Sequence, residues 1–216
     1  MSLTLYYHPL SSYCWKALIA LYDHGAAFTP QLVNLGDPDS RGSFLKVWPI
    51  GKFPVIRDDA RGETVPESSI IIEYLDRHYA GARKLIPGDA DGARQCRMLD
   101  RYFDLHVHTH MQRIIGERLR PAEKKDPLGL EQAQAAMATG LAHAEKEMAG
   151  KTWAMGGDFT MADIAAAPAL FYADKITPLA STYSTLTAYL ARLMERPSFA
   201  RTLKEAEPFF QYFPKE

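Results

Sequence analysis

Two adjacent serines, Ser11 and Ser12, stand at the start of an amphipathic stretch, HPLSSYCWKALIALYDHG, that ends at Gly25. The stretch begins as a turn and continues with apolar residues at helical spacing, so it predicts a helix with both hydroxyls at its entrance. A serine there can cap the free N–H groups of the first turn. It can also donate a hydrogen bond to a thiolate, which the positive end of the helix dipole favours. The residues alone leave both roles open.

The nearest thiol, Cys14, lies one turn further into the predicted helix. Thioredoxin-like redox proteins carry Cys-x-x-Cys at such a helix start, and SSYC keeps only the second cysteine because Ser11 replaces the first. Dithiol exchange needs the missing attacking thiol, so we interpret Cys14 as a small buried hydrophobe. Cys96 is the one other cysteine, and two cysteines in 216 residues favour reduced thiols over a disulfide framework.

The first part of the chain alternates between strand and helix patterns. The segments LTLYY, FTPQLVNL, FPVIRDD and ETVP predict strands, with Pro30 suited to an edge strand. Helices are predicted from Ser11 to Tyr22, in the short segment SFLKVW and in SSIIIEYLDRHY. The predicted order is strand, helix, strand, helix, strand, strand, helix.

Strand patterns end after KLIPGDADG, and every later segment has helical spacing. A long helix is predicted over ARQCRMLDRYFDLHVHTHMQRIIGERLR, followed by four more. We therefore predict an α/β domain at 1–82, a linker at 83–89 and an all-α domain at 90–216.

Composition excludes several classes of protein. The chain has 25 Lys plus Arg against 26 Asp plus Glu, and no dense basic run, so a nucleic-acid partner is not expected. The N-terminus MSLTLYYHPL lacks the features of a secretory leader, and no long apolar run predicts a membrane span. We expect a soluble cytoplasmic protein.

Three segments in this order resemble the cytosolic glutathione transferases: HPLSSYCWKALIAL, then GKFPVIRDD with ETVPESSIIIEYL, then GGDFTMADIAAAPAL. The resemblance covers essentially the whole chain and is nearest to bacterial serine-type members with zeta, theta or phi character. It implies a thioredoxin-like βαβαββα domain that binds glutathione, followed by a helical bundle. It also implies glutathione as co-substrate, no metal, a homodimer and a role in detoxification.

The resemblance assigns roles to residues of the first domain. Ser11 takes the catalytic position in a gapless alignment, with Ser12 as the fallback. Phe53 is expected to expose its backbone to glutathione before a cis Pro54. Glu67 and Ser68 are expected at the γ-glutamyl end, although Ser68 could equally be a helix cap.

The chain departs from the family at one glutathione contact. Many relatives hold the glycyl carboxylate with a basic residue, where this chain has Asp39 and Ser40. We expect Lys52, and also Arg41, to bind that carboxylate instead.

The string HVHTH does not predict a metal site, because His106 and His110 share one helix face while His108 points elsewhere. In the family architecture this helix borders the electrophile pocket. Leu10, Phe103, His106 and His110 would then line it, unless the last three only pack helices.

The segment TMAD in the helical half has the spacing of a capping box. Thr160 stands three residues before Asp163, a short acid in place of the usual Glu. We assign this pair to folding.

The leading hypothesis is a transferase in which Ser11 stabilises the glutathione thiolate for attack on a small hydrophobic electrophile. One alternative is a glutathione-dependent cis-trans isomerase of the maleylacetoacetate type, whose serine pair is followed by Cys and Ser where this chain has Tyr13 and Cys14. Another is a non-catalytic binding or interaction module on the same fold.

Overall fold

The computed structural model describes residues 2–214 of the chain. Contacts group these residues into two compact units. One comprises the chain up to Ile86 together with Ser198–Phe210, and the other comprises Pro87–Pro197 with the residues from Gln211 onward. The domains at 1–82 and 90–216 are predicted from sequence pattern, and they stay a prediction. The grouping by contacts differs from them in one respect, because it assigns the segment Ser198–Phe210 to the first unit.

The first unit is built on a four-stranded mixed sheet. Its strands are β1 (Leu3–Tyr7), β2 (Phe28–Leu32), β3 (Val55–Asp58) and β4 (Glu63–Pro66), in the order β2-β1-β3-β4. β1 runs parallel to β2 and antiparallel to β3, and β3 runs antiparallel to β4. Pro30 lies on the edge strand β2, where its missing N–H disrupts no second ladder.

Helices α1 (Ser12–Asp23), α2 (Pro38–Val47) and α3 (Ser68–His78) complete the βαβαββα order that the sequence predicts. α1 packs against α3, and its residues from Cys14 to Leu21 are all buried. The ring of Trp15 meets Phe199 and Phe210, at centroid distances of 6.0 and 6.1 Å. These two phenylalanines belong to the last helix, α9 (Pro197–Ala206), and to the segment after it. The start of α1 is therefore anchored in a dense core.

The second unit is all-helical, as the sequence predicts. It contains α4 (Ala90–Tyr102), α5 (Thr109–Arg118), α6 (Pro127–Glu147), α7 (Met161–Ile176) and α8 (Ser184–Met194). α7 is its centre, because every residue from Met161 to Ala173 is buried. Within residues 2–214 no helix has both the length and the apolar content needed to cross a membrane.

The long helix predicted in this unit is interrupted by a π-helical segment, Phe103–His108, between α4 and α5. Gly140 of α6 explains the close packing here, because a Cβ at this position would lie 2.2 Å from the carbonyl oxygen of His106. The hydroxyl of Tyr102 donates to the carbonyl oxygen of Gly140 at 2.5 Å and fixes the contact. A widened turn of this kind changes which side chains share a face.

The capping box predicted at the start of α7 is present. Asp163 accepts hydrogen bonds from the backbone N–H of Thr160 at 2.8 Å and from its hydroxyl at 3.0 Å. The same buried carboxylate also accepts from the N–H of Ala154 and the hydroxyl of Tyr189. Asp163 thus joins a loop, α7 and α8 within the second unit.

Candidate active site

Ser11 is the N-cap of α1, with extended backbone angles of φ −78° and ψ 114°. Its Oγ accepts the N–H of Cys14 at 3.3 Å, which satisfies one free donor of the first turn. A hydroxyl keeps one donor when its oxygen accepts, and within residues 2–214 the other side-chain contact of this hydroxyl is with the buried Cys14 thiol. The side chain is partly exposed. Ser11 therefore offers an O–H donor at the positive end of a helix.

Ser12 and Cys14 are both fully buried. Burial raises the pKa of the Cys14 thiol to about 12, against smaller opposing effects of hydrogen bonds from Ser11 and the backbone of His8. The thiol therefore stays protonated at neutral pH and is no redox nucleophile. The burial of Ser12 favours Ser11 as the serine that meets a ligand.

Two backbone carbonyls fix the turn that leads into α1. The N–H of Ser11 donates to the carbonyl oxygen of His8 at 2.9 Å, which closes a four-residue turn. The indole N–H of Trp15 donates to the carbonyl oxygen of Pro9 at 2.6 Å. Leu10, between Pro9 and Ser11, is partly buried. The buried Trp15 thus helps to fix the turn that leads to Ser11.

The peptide bond between Phe53 and Pro54 is cis, as the resemblance implies. Pro54 is buried and leads into β3. The Phe53 ring is partly buried against Phe44, at a centroid distance of 6.3 Å, in a small cluster with Val33 and Val55. The backbone of Phe53 is therefore held at the end of the sheet beside β1.

Glu67 is the N-cap of α3 and has a positive φ of 68° with ψ 118°. It is the one residue other than glycine in the described range 2–214 with such a backbone. A strained conformation of this kind costs about 1 to 3 kcal/mol and is found most often at functional sites. Ser68 follows as the first helical residue and is buried, so Glu67, and not Ser68, occupies the cap position.

Arg41 of α2 and Lys52 of the loop before Phe53 are both exposed. Neither forms a salt bridge with another residue of the range 2–214. Ser40, which with Asp39 stands where the resemblance implies a basic residue, accepts the N–H of Asn34 at 2.9 Å and so holds the loop that enters α2. The two cations are therefore available to an anionic ligand, and Ser40 has a structural partner.

Comparison with known proteins matches both halves of the chain. A model of the glutathione S-transferase N-terminal domain matches residues 5–83, and a model of the C-terminal domain matches residues 127–192. Together they match more than half of the chain. The chain belongs to the glutathione S-transferase family.

Individual glutathione S-transferase relatives are distant. A glutathione S-transferase-like protein of Fusarium is 30% identical over 66% of this chain. The matched part spans 62% of that protein's length. A probable maleylacetoacetate isomerase of Vibrio cholerae is 27% identical over 96% of this chain and 98% of its own length. A glutathione S-transferase of Methylobacillus flagellatus, solved with glutathione bound, has a TM-score of 0.86 at 27% identity, over 93% of this chain and 98% of that one.

In the helical unit of this glutathione S-transferase, the residues predicted for the electrophile pocket differ in exposure. Phe103 is buried, His106 is exposed and His110 is partly buried with no hydrogen-bond partner in the described range for its buried Nδ1. The π-helical segment accounts for this difference in exposure, because it breaks the spacing of three and four on which the prediction depends. Their role at a pocket stays a prediction.

His108 is fully buried, with Nδ1 3.7 Å from a carboxylate oxygen of Asp104. Among residues 2–214 no group of three or more His, Cys, Asp or Glu side chains lies close enough to bind a metal ion. His108 is therefore interpreted as a core residue of the helical unit.

Sequence reasoning missed two residues near the start of α1. Lys16 is fully buried, and its Nζ donates to the hydroxyl of Ser69 at 3.0 Å, which ties the second turn of α1 to the first turn of α3. A lysine within the apolar run CWKALIAL was the available signal. His8 is the other, and its ring lies at 6.1 Å from that of Phe53.

Glu67→Gly should separate backbone strain from ligand binding. Glycine adopts a positive φ without a steric penalty, which offsets its own entropic cost of about 0.5 to 1 kcal/mol. We expect the melting temperature to stay the same or rise, while glutathione affinity falls with the lost carboxylate. Thermal melting and calorimetric titration measure the two effects, with Glu67→Gln as the control that keeps the strained backbone. A clear fall in melting temperature for Glu67→Gly would instead assign the carboxylate to folding.

Proposed function

We propose that this protein is a glutathione transferase in which the Ser11 hydroxyl stabilises the thiolate of bound glutathione. The observation that carries the proposal is the position of Ser11, a partly exposed N-cap whose hydroxyl stands at the positive end of α1. Membership of the glutathione S-transferase family supports glutathione as the ligand. The bound glutathione in the Methylobacillus structure supports the same ligand.

The energetics are sufficient for this role. A thiol with a free pKa of about 8.5 is only a few per cent ionised at neutral pH, and a fall of about two units needs about 2.7 kcal/mol. A hydrogen bond to a charged group contributes about 1.5 to 3 kcal/mol, and a helix N-terminus adds about 0.3 to 1 kcal/mol. Ser11 at the start of α1 supplies both.

Glutathione would be held by backbone groups and by charged side chains of the first unit. The Phe53 backbone before the cis Pro54 would pair with the cysteinyl part, as in strand addition on a very small scale. The first turn of α3, with Glu67 and Ser68, would hold the γ-glutamyl end, where free N–H groups favour a carboxylate. The glycyl carboxylate would lie against Lys52 or Arg41.

In the proposed reaction the thiolate sulfur forms a bond to an electrophilic carbon. The leaving group departs with its bonding electrons, or an unsaturated acceptor takes up a proton after addition. The electrophile is small and hydrophobic, and Leu10, Phe103, His106 and His110 stay the proposed pocket residues. We also propose a cytoplasmic homodimer, which sedimentation would test.

Calorimetric titration with glutathione, followed by turnover of a chlorodinitrobenzene, tests the proposal. Binding at millimolar concentration or below with measurable conjugation supports it. No binding at millimolar concentration favours the non-catalytic module on the same fold.

Lys52→Ala should weaken glutathione binding by about three- to tenfold, since an exposed ion pair contributes about 0.2 to 1 kcal/mol and a charge-assisted hydrogen bond somewhat more. Binding of a glutathione analogue with an amide in place of the glycyl carboxylate should change little in this variant. Lys46→Ala, an exposed cation in the last turn of α2, is the matched control. An equal loss of affinity for glutathione and for the amide analogue would show that Lys52 does not bind the glycyl carboxylate. The same comparison with Arg41→Ala shows which of the two cations contributes more.

A second candidate, glutathione-dependent cis-trans isomerisation, is favoured by the Vibrio cholerae relative, a probable maleylacetoacetate isomerase aligned over nearly its whole length. Both reactions begin with the same thiolate, so Ser11 would serve either. Turnover of maleylacetoacetate distinguishes them, because an isomerase regenerates glutathione and a transferase consumes it.

A further inference from the structure

His8 lies between β1 and the helix that Ser11 caps, and it shares a turn with Ser11. The N–H of Ser11 donates to the carbonyl oxygen of His8 at 2.9 Å. The Cα atoms at the two ends of such a turn lie within about 7 Å of each other. The imidazole and the Ser11 hydroxyl are therefore side chains of the same short turn.

The ring of His8 is held against the residue proposed to bind the cysteinyl part of glutathione. The antiparallel register pairs Tyr6 with Val55, so continuing it by two residues brings His8 opposite Phe53. The two rings stack, with centroids 6.1 Å apart and planes inclined by 19°. Phe209 meets the same imidazole edge-on at 6.3 Å. The ring thus has a defined place beside Phe53.

The hydrogen bonding of His8 defines which nitrogen carries the proton. Nδ1 accepts the N–H of Leu10 at 3.2 Å, so the neutral ring carries its proton on Nε2. Burial lowers the pKa of His8, and the hydrogen bond received by Nδ1 also favours the neutral form. At neutral pH the side chain therefore presents an Nε2–H donor.

Within the described part of the chain, residues 2–214, this donor has no protein partner. No hydrogen bond to Nε2 is found within residues 2–214, and the atom is not one of the buried polar atoms that lack a partner, so it is open to solvent. A directed, accessible N–H donor thus stands one turn from the Ser11 hydroxyl and against Phe53.

We propose that His8 is a further residue of the glutathione site, whose Nε2–H donates a second hydrogen bond to the thiolate. The inference rests on the proposed function and deepens it. A neutral imidazole N–H is a very weak acid, so His8 keeps its proton and transfers none. The bond stabilises the anion before reaction and is given up as the sulfur lone pair forms the new bond to carbon.

His8→Phe and His8→Gln test the proposal through the pKa of bound glutathione, read from the ultraviolet absorbance of the thiolate. Phenylalanine keeps a ring on Phe53 but has no donor, and should raise that pKa by about one unit, the lower end of a hydrogen bond to a charged group. Glutamine keeps an N–H donor of similar reach and should restore at least half of the shift. Equal pKa values in the wild type and His8→Phe would overturn the proposal, whereas an unperturbed thiol in the wild type would instead overturn the role of Ser11.

A measurement on the unchanged protein covers the case in which the variants do not fold. The imidazole nitrogens of ¹⁵N-labelled protein are followed by NMR while glutathione is added. A parallel titration uses the analogue with a methyl group in place of the thiol. We expect the Nε2 resonance to move with glutathione and to stay nearly still with the analogue, while Nδ1 keeps its acceptor character with both. Equal shifts for the two peptides would overturn the proposal.

Discussion

Ser11→Ala should lower kcat/KM for conjugation of a chlorodinitrobenzene by at least tenfold at about pH 6.5, because the thiolate loses a hydrogen bond of about 1.5 to 3 kcal/mol. The loss should shrink as pH rises toward the pKa of free glutathione, where the thiol ionises without help. Steady-state kinetics over a range of pH measure both effects. We therefore expect the pH profile of kcat/KM to be shifted toward higher pH in the variant.

Two control variants separate catalysis from capping. Ser11→Ala also removes the cap on the N–H of Cys14, which is worth about 0.5 to 2 kcal/mol of stability. Ser11→Asp keeps a capping oxygen but presents a negative charge and no donor, so it should retain stability and lose at least as much activity. Ser12→Ala, at a fully buried position, should have much the smaller effect on turnover. Unchanged turnover in both alanine variants would reject a serine mechanism.

Asp163→Ala should lower the free energy of unfolding by about 3 to 5 kcal/mol, because it leaves several buried donors unsatisfied at about 1 to 3 kcal/mol each, with partial relaxation of the site. The carboxylate accepts from Ala154, Thr160 and Tyr189 at 2.6 to 3.0 Å, and those donors would be left buried without it. Urea unfolding of the wild type and the variant measures the loss. The proposed glutathione contacts belong to the other unit, so the composition of the proposed site is unchanged.

Asp158→Ala is the matched control, since Asp158 is an exposed residue of the same type five positions earlier. Its effect should stay within about 0.5 kcal/mol. Tyr189→Phe removes one donor and no charge. It should lower the free energy of unfolding by about 1 kcal/mol, between the effects of the two aspartate variants. If Asp163→Ala were no more destabilising than Asp158→Ala, the assignment of this capping box to folding would be wrong.

The fold could be predicted because local and global signals agree in this chain. Strand segments around Pro30 and Val55 alternate with a helix at Ser11, and the pattern turns wholly helical in the second part, as the structure confirms. The Thr160 and Asp163 spacing predicted a capping box that is present. Such signals lie within a few residues of each other, so a single sequence contains them.

Features that depend on distant residues could not be predicted. The π-helical segment at Phe103–His108 lies where Gly140 of another helix brings its backbone close, and no local pattern marks that contact. α2 begins at Pro38, earlier than the predicted SFLKVW, because Asp37 caps a segment whose Pro and Gly suggest a loop. Positive φ at Glu67 has no signal, since glycine is the residue that usually marks it.

The candidate site was only partly accessible from sequence. Motif order placed Ser11, Phe53, Pro54 and Glu67 in the first unit, and their roles stay predictions. The burial of Ser12 follows from helical phase, because it lies on the same face as the buried Trp15 and Ile19. The histidine beside Phe53 needed strand register and ring geometry, neither of which the sequence contains.

The central claim is tested most directly by the pKa of glutathione bound to the wild type and to Ser11→Ala, read from thiolate absorbance across pH. The account predicts a bound thiol about two units below its value of about 8.5 in free solution, and a return of at least one unit toward it in the variant. A thiol that ionises in the wild-type complex as it does in free glutathione would contradict the account.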